Sequence, residues 1–287
     1  MPVVRSSLLI ASAFLLPSIA TAQSTPAPTP SSTAQQSAAA TAPDPDLLVN
    51  PAEPDFTLSA LPTTLRMPSG KFAFRLTHRF SRPIASGDVG DFFADLFGFD
   101  SSAQIGLELR YGLRPGTQVA LHRTNDRTIQ FLGQHELMSQ KAGRLFTLDA
   151  LVSVEGADNF SEDFSTTVGG VISHHFTECG AIYVQPLFVF NTNPLDDGDD
   201  HTMLLGLGTR FRLGKSRTYL VAEAAPVVSG HDAGIDHVSF GFEHRVGGHV
   251  FQLTVTNALG TTMRQIALGG PHEDDWFIGF NLSRRFF

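Results

Sequence analysis

Apolar and polar residues alternate along most of the chain from Leu61 onward, and the pattern is clearest in the segment Trp276 to Phe287. Successive side chains of an extended strand point to opposite faces, so this segment carries one apolar face and one face of small or polar residues. The apolar face contains Trp276, Ile278, Phe280, Leu282 and Phe286. Lipid on one side and a lumen on the other would match that pattern, which therefore predicts a strand of a membrane β-barrel.

Eleven earlier segments alternate in the same way: Lys71 to Phe80, Ser102 to Tyr111, Gln118 to Arg123, Thr128 to Leu137, Arg144 to Val154, Thr166 to Phe176, Ala181 to Phe190, Thr202 to Leu213, Thr218 to Val227, His237 to Val246 and His249 to Asn257. Two of them are short, and Pro226 interrupts another, so the strand count carries an uncertainty of two. The pattern predicts an all-β fold, a closed antiparallel transmembrane β-barrel of about 12 strands, because single-chain bacterial barrels have an even strand number.

The connections between these segments alternate in length and charge. Every second connection is short: GLRPGT, SQKAG, TECG, GKSR and Gly247-Gly248. The intervening connections are acidic and mostly long, with Asn125-Asp126 as the short exception. Short periplasmic turns and long outer loops are typical of outer-membrane barrels, so this alternation supports the predicted architecture.

The N-terminal region has the composition of an export signal followed by a linker. Arg5 precedes the apolar run Leu8 to Ile19, and Ala20-Thr21-Ala22 has the form of a cleavage site. The following residues are rich in Pro, Ala, Ser and Thr, a composition that does not support a packed core. We expect a signal peptide over 1–22, a disordered periplasmic linker over 23–60, and the barrel over 61–287.

Composition excludes several other classes. The 287-residue chain has a net charge of −8, which argues against nucleic acid as a partner. After the first twenty residues it lacks an apolar run of about 18, so it is not a helical membrane protein. The single Cys179 excludes an intrachain disulfide and a thiolate cluster. No cofactor is predicted.

Several blocks resemble a known family. They are RLTHRF at Arg75 to Phe80, DLFGFD at Asp95 to Asp100, IGLELRYGLRPGTQVALHR at Ile105 to Arg123 and FEHRVGGHVFQLTVTNA at Phe242 to Ala258. These blocks resemble an uncharacterised bacterial family of outer-membrane β-barrel proteins that has no assigned function. The resemblance implies a barrel and implies neither a reaction nor a ligand.

Charged residues at inward positions are the first candidate site. They are Arg75, Arg79, Glu108, Arg110, Asp149, Arg210, Arg212, Glu223, Glu243 and Arg245. Two interpretations stay open: salt bridges that fill a narrow barrel, or a weakly basic pore that favours anions. The second candidate is a divalent-cation site in an outer loop at Asp196, Asp197, Asp199 and Asp200. The alternative interpretation is that these aspartates are ordinary solvated loop charges.

The sequence therefore predicts an exported outer-membrane protein that is a passive small pore or a structural barrel. An outer-membrane enzyme acting on lipid or saccharide is one alternative, although Ser173 and its neighbour His174 would point to opposite faces of a strand. A barrel that binds a periplasmic complex through its tail is another. The expected partners are outer-membrane lipid, the barrel-assembly machinery at the C-terminal strand, and divalent cations at the acidic loops.

Overall fold

A computed structural model describes residues 49–86, 102–193, 200–231 and 234–287, and its architecture is all-β. The strands are β1 (Phe72–Pro83), β2 (Ala103–Arg114), β3 (Thr117–Thr124), β4 (Ile129–Met138), β5 (Thr147–Gly156), β6 (Glu162–Phe176), β7 (Gly180–Phe190), β8 (Thr202–Arg212), β9 (Thr218–Ala225), β10 (Val227–Gly230), β11 (His237–Val246), β12 (His249–Thr256) and β13 (Phe277–Arg285). From β1 to β8 and from β11 to β13 each strand pairs antiparallel with the next in the chain; β9 joins β8 to β11, β10 extends along β8, and β1 pairs with β13, so the sheet closes on itself.

The strand count is set by Pro226. β9 and β10 flank this residue, and both pair with β8, so together they form one interrupted strand. Proline has no N–H to donate to a ladder, which explains the break. Its carbonyl still accepts a hydrogen bond from the Leu205 N–H at 3.0 Å. Thirteen segments therefore make a barrel of twelve strands, and the predicted fold class is confirmed.

The two faces of the wall follow the alternation of the sequence. On β2, Leu107 and Leu109 point outward and are 48% and 55% exposed, whereas Glu108 and Arg110 between them are buried inside. The short connections lie at the end where β1 begins and β13 ends, which we name the turn end. The opposite end carries the acidic connections and is named the loop end.

Within the ranges that the structure describes, helical structure is confined to connections between strands. η1 (Gln140–Ala142) is a 3-10 turn, α1 (Ala157–Phe160) is a single turn with left-handed backbone at Asp158 and Asn159, and α2 (Met263–Ala267) follows β12. Among the described residues, no helix has the length and hydropathy that a helical membrane crossing requires.

The structure differs from the predicted boundary between linker and barrel. The first strand begins at Phe72, and residues 49–70, which we name the plug, precede it; all of residues 52–68 except the half-buried Arg66 are buried inside the barrel. Composition alone predicts a disordered linker for residues 49–60, because they offer little core of their own. Inside the lumen, however, the wall supplies the partners that this segment lacks. The predicted signal peptide and the linker up to residue 48 lie outside the described residues.

Candidate functional site

The plug is a hairpin that enters and leaves the lumen at the turn end. Thr57 and Pro62 form a bridge, and the Leu58 N–H donates to the Leu61 carbonyl at 2.8 Å, so residues 58–61 form its tip. At its C-terminal end, the Gly70 N–H donates to the carbonyl of Gly112, at the turn end of β2, at 2.8 Å. Because both legs leave by the same mouth, the plug does not thread through the barrel.

One carboxylate on the wall holds the tip of the plug. Glu223 of β9 accepts hydrogen bonds from three consecutive backbone N–H groups, those of Ser59, Ala60 and Leu61, at 2.9, 2.8 and 3.1 Å. The His237 ring contacts the same carboxylate at 2.9 Å and lies 2% exposed. A buried carboxylate needs compensating donors, and here the plug backbone provides most of them.

Three arginines of the wall bind plug carbonyls. Arg75 and Arg79 of β1 both donate to the carbonyl of Ser59. Arg210 of β8 donates to the carbonyl of Thr57 at 2.7 Å and forms an ion pair with Glu243 at 3.0 Å. These guanidinium groups are essentially fully buried, so the carbonyls replace the water that they would otherwise need.

Amide side chains of the wall complete the binding of the plug backbone. Each donates from its side-chain nitrogen to one plug carbonyl: Gln252 to Leu58, Asn281 to Ser59, Gln185 to Pro62, Gln134 to Thr63 and Gln118 to Leu65, at 2.7 to 3.2 Å. They lie on five different strands, so the plug is held around its circumference. A sheet partner is thus replaced by side chains as the source of backbone hydrogen bonds.

Glu53 anchors the plug near the turn end. Its carboxylate contacts the His175 ring at 3.1 Å and accepts hydrogen bonds from the Tyr183 hydroxyl and the Thr64 N–H at 3.0 and 2.9 Å. Burial raises the pKa of this carboxyl, but the charge and hydrogen bond of His175 and the charge of Arg210 outweigh it, so the pKa falls below its usual value. Glu53 therefore stays ionised while bound.

Apolar packing also fixes the plug. Leu58 and Leu61 join Val221 and Leu204 of the wall in one core cluster. Gly208 of β8 makes room for them, because a Cβ at that position would lie 2.1 Å from the Cδ1 atom of Leu58. The absence of a side chain there is what allows the tip to approach the wall.

A second segment closes the lumen from the loop end. The α2 helix is capped by Thr262, whose side chain accepts from the Gln265 N–H and donates to Glu155 of β5 at 2.7 Å. Met263 and Ile266 of this helix are buried in the same core cluster as the plug tip. The plug tip and α2 thus belong to one apolar cluster inside the barrel.

The charged residues predicted for the lumen all lie on inward faces, and the structure divides them into three groups. Arg75, Arg79, Arg210 and Glu223 contact the plug directly. Glu243 pairs with Arg210, Glu108 pairs with Arg110 at 3.0 Å, and Asp149 accepts from Gln134 at 2.6 Å. Arg212 and Arg245 are half-buried at the turn-end mouth.

Sequence analysis missed the plug itself and the amides that bind it. An available signal was the inward parity of Gln118, Gln134, Gln185 and Gln252, which places four amides where a lumen needs partners. Glu53, Ser59 and Leu61 lacked any comparable signal, because no strand period marks them.

The predicted metal site falls mostly outside the described residues. Of its four aspartates only Asp200 is described, and its carboxylate contacts the His201 ring at 3.0 Å, while Asp196, Asp197 and Asp199 are not covered. Among the residues that the structure covers, no group of three His, Cys, Asp or Glu side chains is arranged to hold a metal. The cation site stays a prediction.

The structure also places the Ser and His residues weighed for a hydrolase. The Ser173 hydroxyl is buried inside the barrel and bonds to the Thr64 hydroxyl at 2.5 Å. The neighbouring His174 ring contacts the Leu145 carbonyl at 2.8 Å. These two side chains therefore have different partners and do not bond to each other.

A family model described as "Membrane bound beta barrel domain (DUF5777)" matches residues 55–286, which is most of the chain. The chain belongs to this family. The DUF5777 match begins inside the plug, so it includes the tip of the hairpin as well as the wall. Membrane barrels of this type are outer-membrane proteins, and the barrel therefore lies in the outer membrane. The predicted family resemblance is confirmed.

Solved structures with a similar fold include outer-membrane proteins of different activities. The NanC porin is 7% identical, with 76% of this chain and 100% of the porin covered and a TM-score of 0.49. An outer-membrane channel from Pseudomonas putida F1 is 12% identical (77% and 97% covered, TM-score 0.45). Outer membrane phospholipase A from Escherichia coli is 10% identical (76% and 90% covered, TM-score 0.42). At such scores these likenesses carry no functional argument. No curated protein matches the chain.

Proposed function

We propose that this DUF5777 barrel is a small outer-membrane pore that its own N-terminal plug holds closed from the periplasmic side. The observation that carries the proposal is the binding of the plug tip by Glu223, because it joins a separable segment to the wall at the middle of the lumen. With the plug and α2 both in place, the barrel is shut. A pore function therefore requires movement of the plug.

The way the plug is bound supports its removal as a unit. Apart from Gly70 at its C-terminal end, the plug residues described above bond to side chains of the strands, so the paired ladders of the wall do not depend on the plug. Both legs leave by the periplasmic mouth, so withdrawal breaks no strand pairing. Withdrawal would expose Arg75, Arg79 and Arg210 to water in the lumen. A lumen with exposed arginines lowers the barrier for anions, so the open state should prefer anionic solutes.

The test is conductance in planar bilayers with the plug present, locked or absent. The Ser59 and Ser239 hydroxyl oxygens are 2.9 Å apart, so Ser59→Cys with Ser239→Cys places two thiols within reach of a disulfide. Cys179, the single native cysteine, is exposed and is replaced by serine to avoid mispairing. The proteins compared are therefore the native chain, this double-cysteine variant in its reduced and oxidised forms, and a variant that lacks residues 49–67.

We expect sustained, anion-preferring conductance from the protein that lacks the plug, rare openings from the reduced double-cysteine protein, and none after oxidation. The reduced double-cysteine protein is the matched control for the oxidised one, since only the cross-link differs. A plug-less protein that inserts and folds but conducts no ions would show a structural barrel instead. Equal conductance before and after oxidation would also refute gating by the plug.

Two further partners are predicted for the barrel, and the conductance experiment does not test them. Outer-membrane lipid would surround the apolar outer face, on which Leu107, Phe131 and Phe251 are each about half exposed. The C-terminal strand β13 carries the predicted contact with the assembly machinery. Both stay predictions.

A further inference from the structure

A cavity lined by arginines lies at the turn end, beside the point where the plug enters the barrel. Its volume is about 240 Å³, and its lining consists of Pro51, Arg212, Arg217, Tyr219, Arg245 and Gly247. Strand register brings these residues together: Arg212 lies opposite Tyr219, and the Arg245 N–H donates to the Arg217 carbonyl at 2.9 Å. Three arginines thus line one small space.

The positive charge of this cavity is poorly compensated within the described part of the chain. The lining contains no carboxylate. Glu178 lies 3.8 Å from the Arg212 Nη1 atom and is 78% exposed, and the Nε and Nη2 atoms of Arg212 donate to the neutral carbonyls of Ser216 and Lys215 at 2.7 and 3.2 Å. Arg245 donates through Nε to the Gly247 carbonyl at 3.3 Å, a contact that leaves its charge unbalanced.

A fourth arginine adds to the same excess. Arg285 of β13 donates its backbone N–H to Gly248, next to the cavity, and its side-chain Nη1 is buried with no hydrogen-bond partner among the described residues. Two carboxylates act on Arg285, and both have other partners: Asp55 accepts from the Ser283 hydroxyl at 2.7 Å, and Glu243 pairs with Arg210 at 3.0 Å. Arg245 and Arg285 repel each other, and an anion bound between them would offset that repulsion.

We propose that this cavity, which we name the mouth site, binds a small anion carrying a phosphate group. The planar guanidinium fork matches the oxygens of phosphate and donates two parallel hydrogen bonds to them. A volume of about 240 Å³ is below the range of roughly 300–1,000 Å³ typical of pockets for drug-sized ligands, so the ligand is small.

The geometry favours a free solute over a lipid headgroup. Arg212 and Arg245 share the inward parity of Arg210 and Glu243, whereas their neighbours Phe211 and Val246 are exposed on the outer face. Phosphates of the surrounding lipid lie on the outer side of the wall. The mouth site therefore opens toward the lumen and the periplasm. It stands whether or not the plug gates a pore.

The experiment titrates inorganic phosphate into the detergent-solubilised full chain by calorimetry, against chloride at matched ionic strength. Arg217→Gln is the principal variant, because Arg217 is exposed in a turn and its loss leaves the strands intact. Arg144→Gln is the matched control, since Arg144 is also exposed at a turn-end connection and does not line the cavity. Arg217→Lys keeps the charge and removes the fork.

Saturable phosphate binding by the native chain is expected, with the dissociation constant raised roughly tenfold to a hundredfold in Arg217→Gln, as the loss of charged hydrogen bonds predicts. Arg144→Gln should bind as the native chain does, and Arg217→Lys should fall between. Phosphate binding no stronger than chloride binding, or equal in Arg217→Gln and Arg144→Gln, would overturn the proposal. Capture of phosphatidylglycerol in nanodiscs without binding of free phosphate would overturn the assignment to the lumen mouth.

Discussion

Replacing Glu223 by glutamine tests how strongly this carboxylate binds the plug tip, and it changes the shape of the side chain very little. Oε2 of Glu223 accepts from Ser59 and Leu61, and Oε1 accepts from Ala60 and from the His237 ring. Glutamine keeps one oxygen and replaces the other by an NH₂ group. Whichever orientation it adopts, at least one plug N–H then faces a donor instead of an acceptor.

The expected cost follows from these contacts. One buried N–H without a partner costs about 1–3 kcal/mol, and the surviving hydrogen bonds each lose about 1 kcal/mol because the acceptor is no longer charged. With the NH₂ group facing Ala60, the milder orientation, one N–H loses its acceptor and two bonds weaken, so the tip should be held about 3–5 kcal/mol less tightly. Since 1.4 kcal/mol is tenfold in an equilibrium constant, the open population of the tip rises roughly 100-fold to several thousand-fold.

Amide hydrogen exchange of residues 58–61 reads this population directly, because exchange of a buried N–H requires local opening. The control is Glu136→Gln, which removes the ion pair with Arg66 at 2.8 Å near the turn end. That pair is partly exposed and is worth at most about 1 kcal/mol, so exchange at the tip should change less than about fivefold. Tip exchange in Glu223→Gln within fivefold of the native rate would refute the assigned role of this carboxylate.

Three further predictions concern other parts of the structure. Gly208→Ala should weaken plug binding by about 1–3 kcal/mol, measured by chemical denaturation, because the new Cβ would clash with Leu58. Adding Leu58→Ala to the same chain should recover part of the loss, whereas purely additive effects of the two substitutions would contradict the contact. Leu107→Arg should cost about 2–4 kcal/mol in refolding into lipid vesicles, against about 0–1 for Leu113→Arg at the rim, and equal costs would argue against a lipid-facing wall. Because binding lowers the pKa of Glu53, its stabilisation of the bound plug is present above the usual carboxyl pKa of 4.5 and is lost as the pH falls through the lower folded pKa. Hydrogen-exchange protection of the plug's turn-end amides should therefore fall over that acid range, and Glu53→Gln should abolish the change.

The wall was predictable from sequence because its physics is local. A strand between lipid and lumen must alternate with a period of two, so the parity of Arg75 and Arg79, or of Glu108 and Arg110, follows from position alone. Even the weak point was visible, since Pro226 interrupts the ladder where a proline must.

The plug was not predictable by the same means. Residues such as Ser59, Ala60 and Pro62 have the composition of a linker, and their order comes from partners more than a hundred positions away, such as Glu223 and Gln185. The alternation of inward and outward positions places the arginines in the lumen but does not show what they bind. A filled lumen and an open lumen are therefore both compatible with the sequence.

The closing seam of the barrel has a consequence for how the protein is made. Leu76 lies opposite Leu282 where β1 meets β13, so the circumference is sealed by a strand synthesised long after the hairpin attached to β1. A cylinder that closed while empty would leave its lumen arginines in water, and the hairpin would then have to displace that water in order to bind them. A wall that closes around a hairpin already in position exchanges that water for plug carbonyls in the same step.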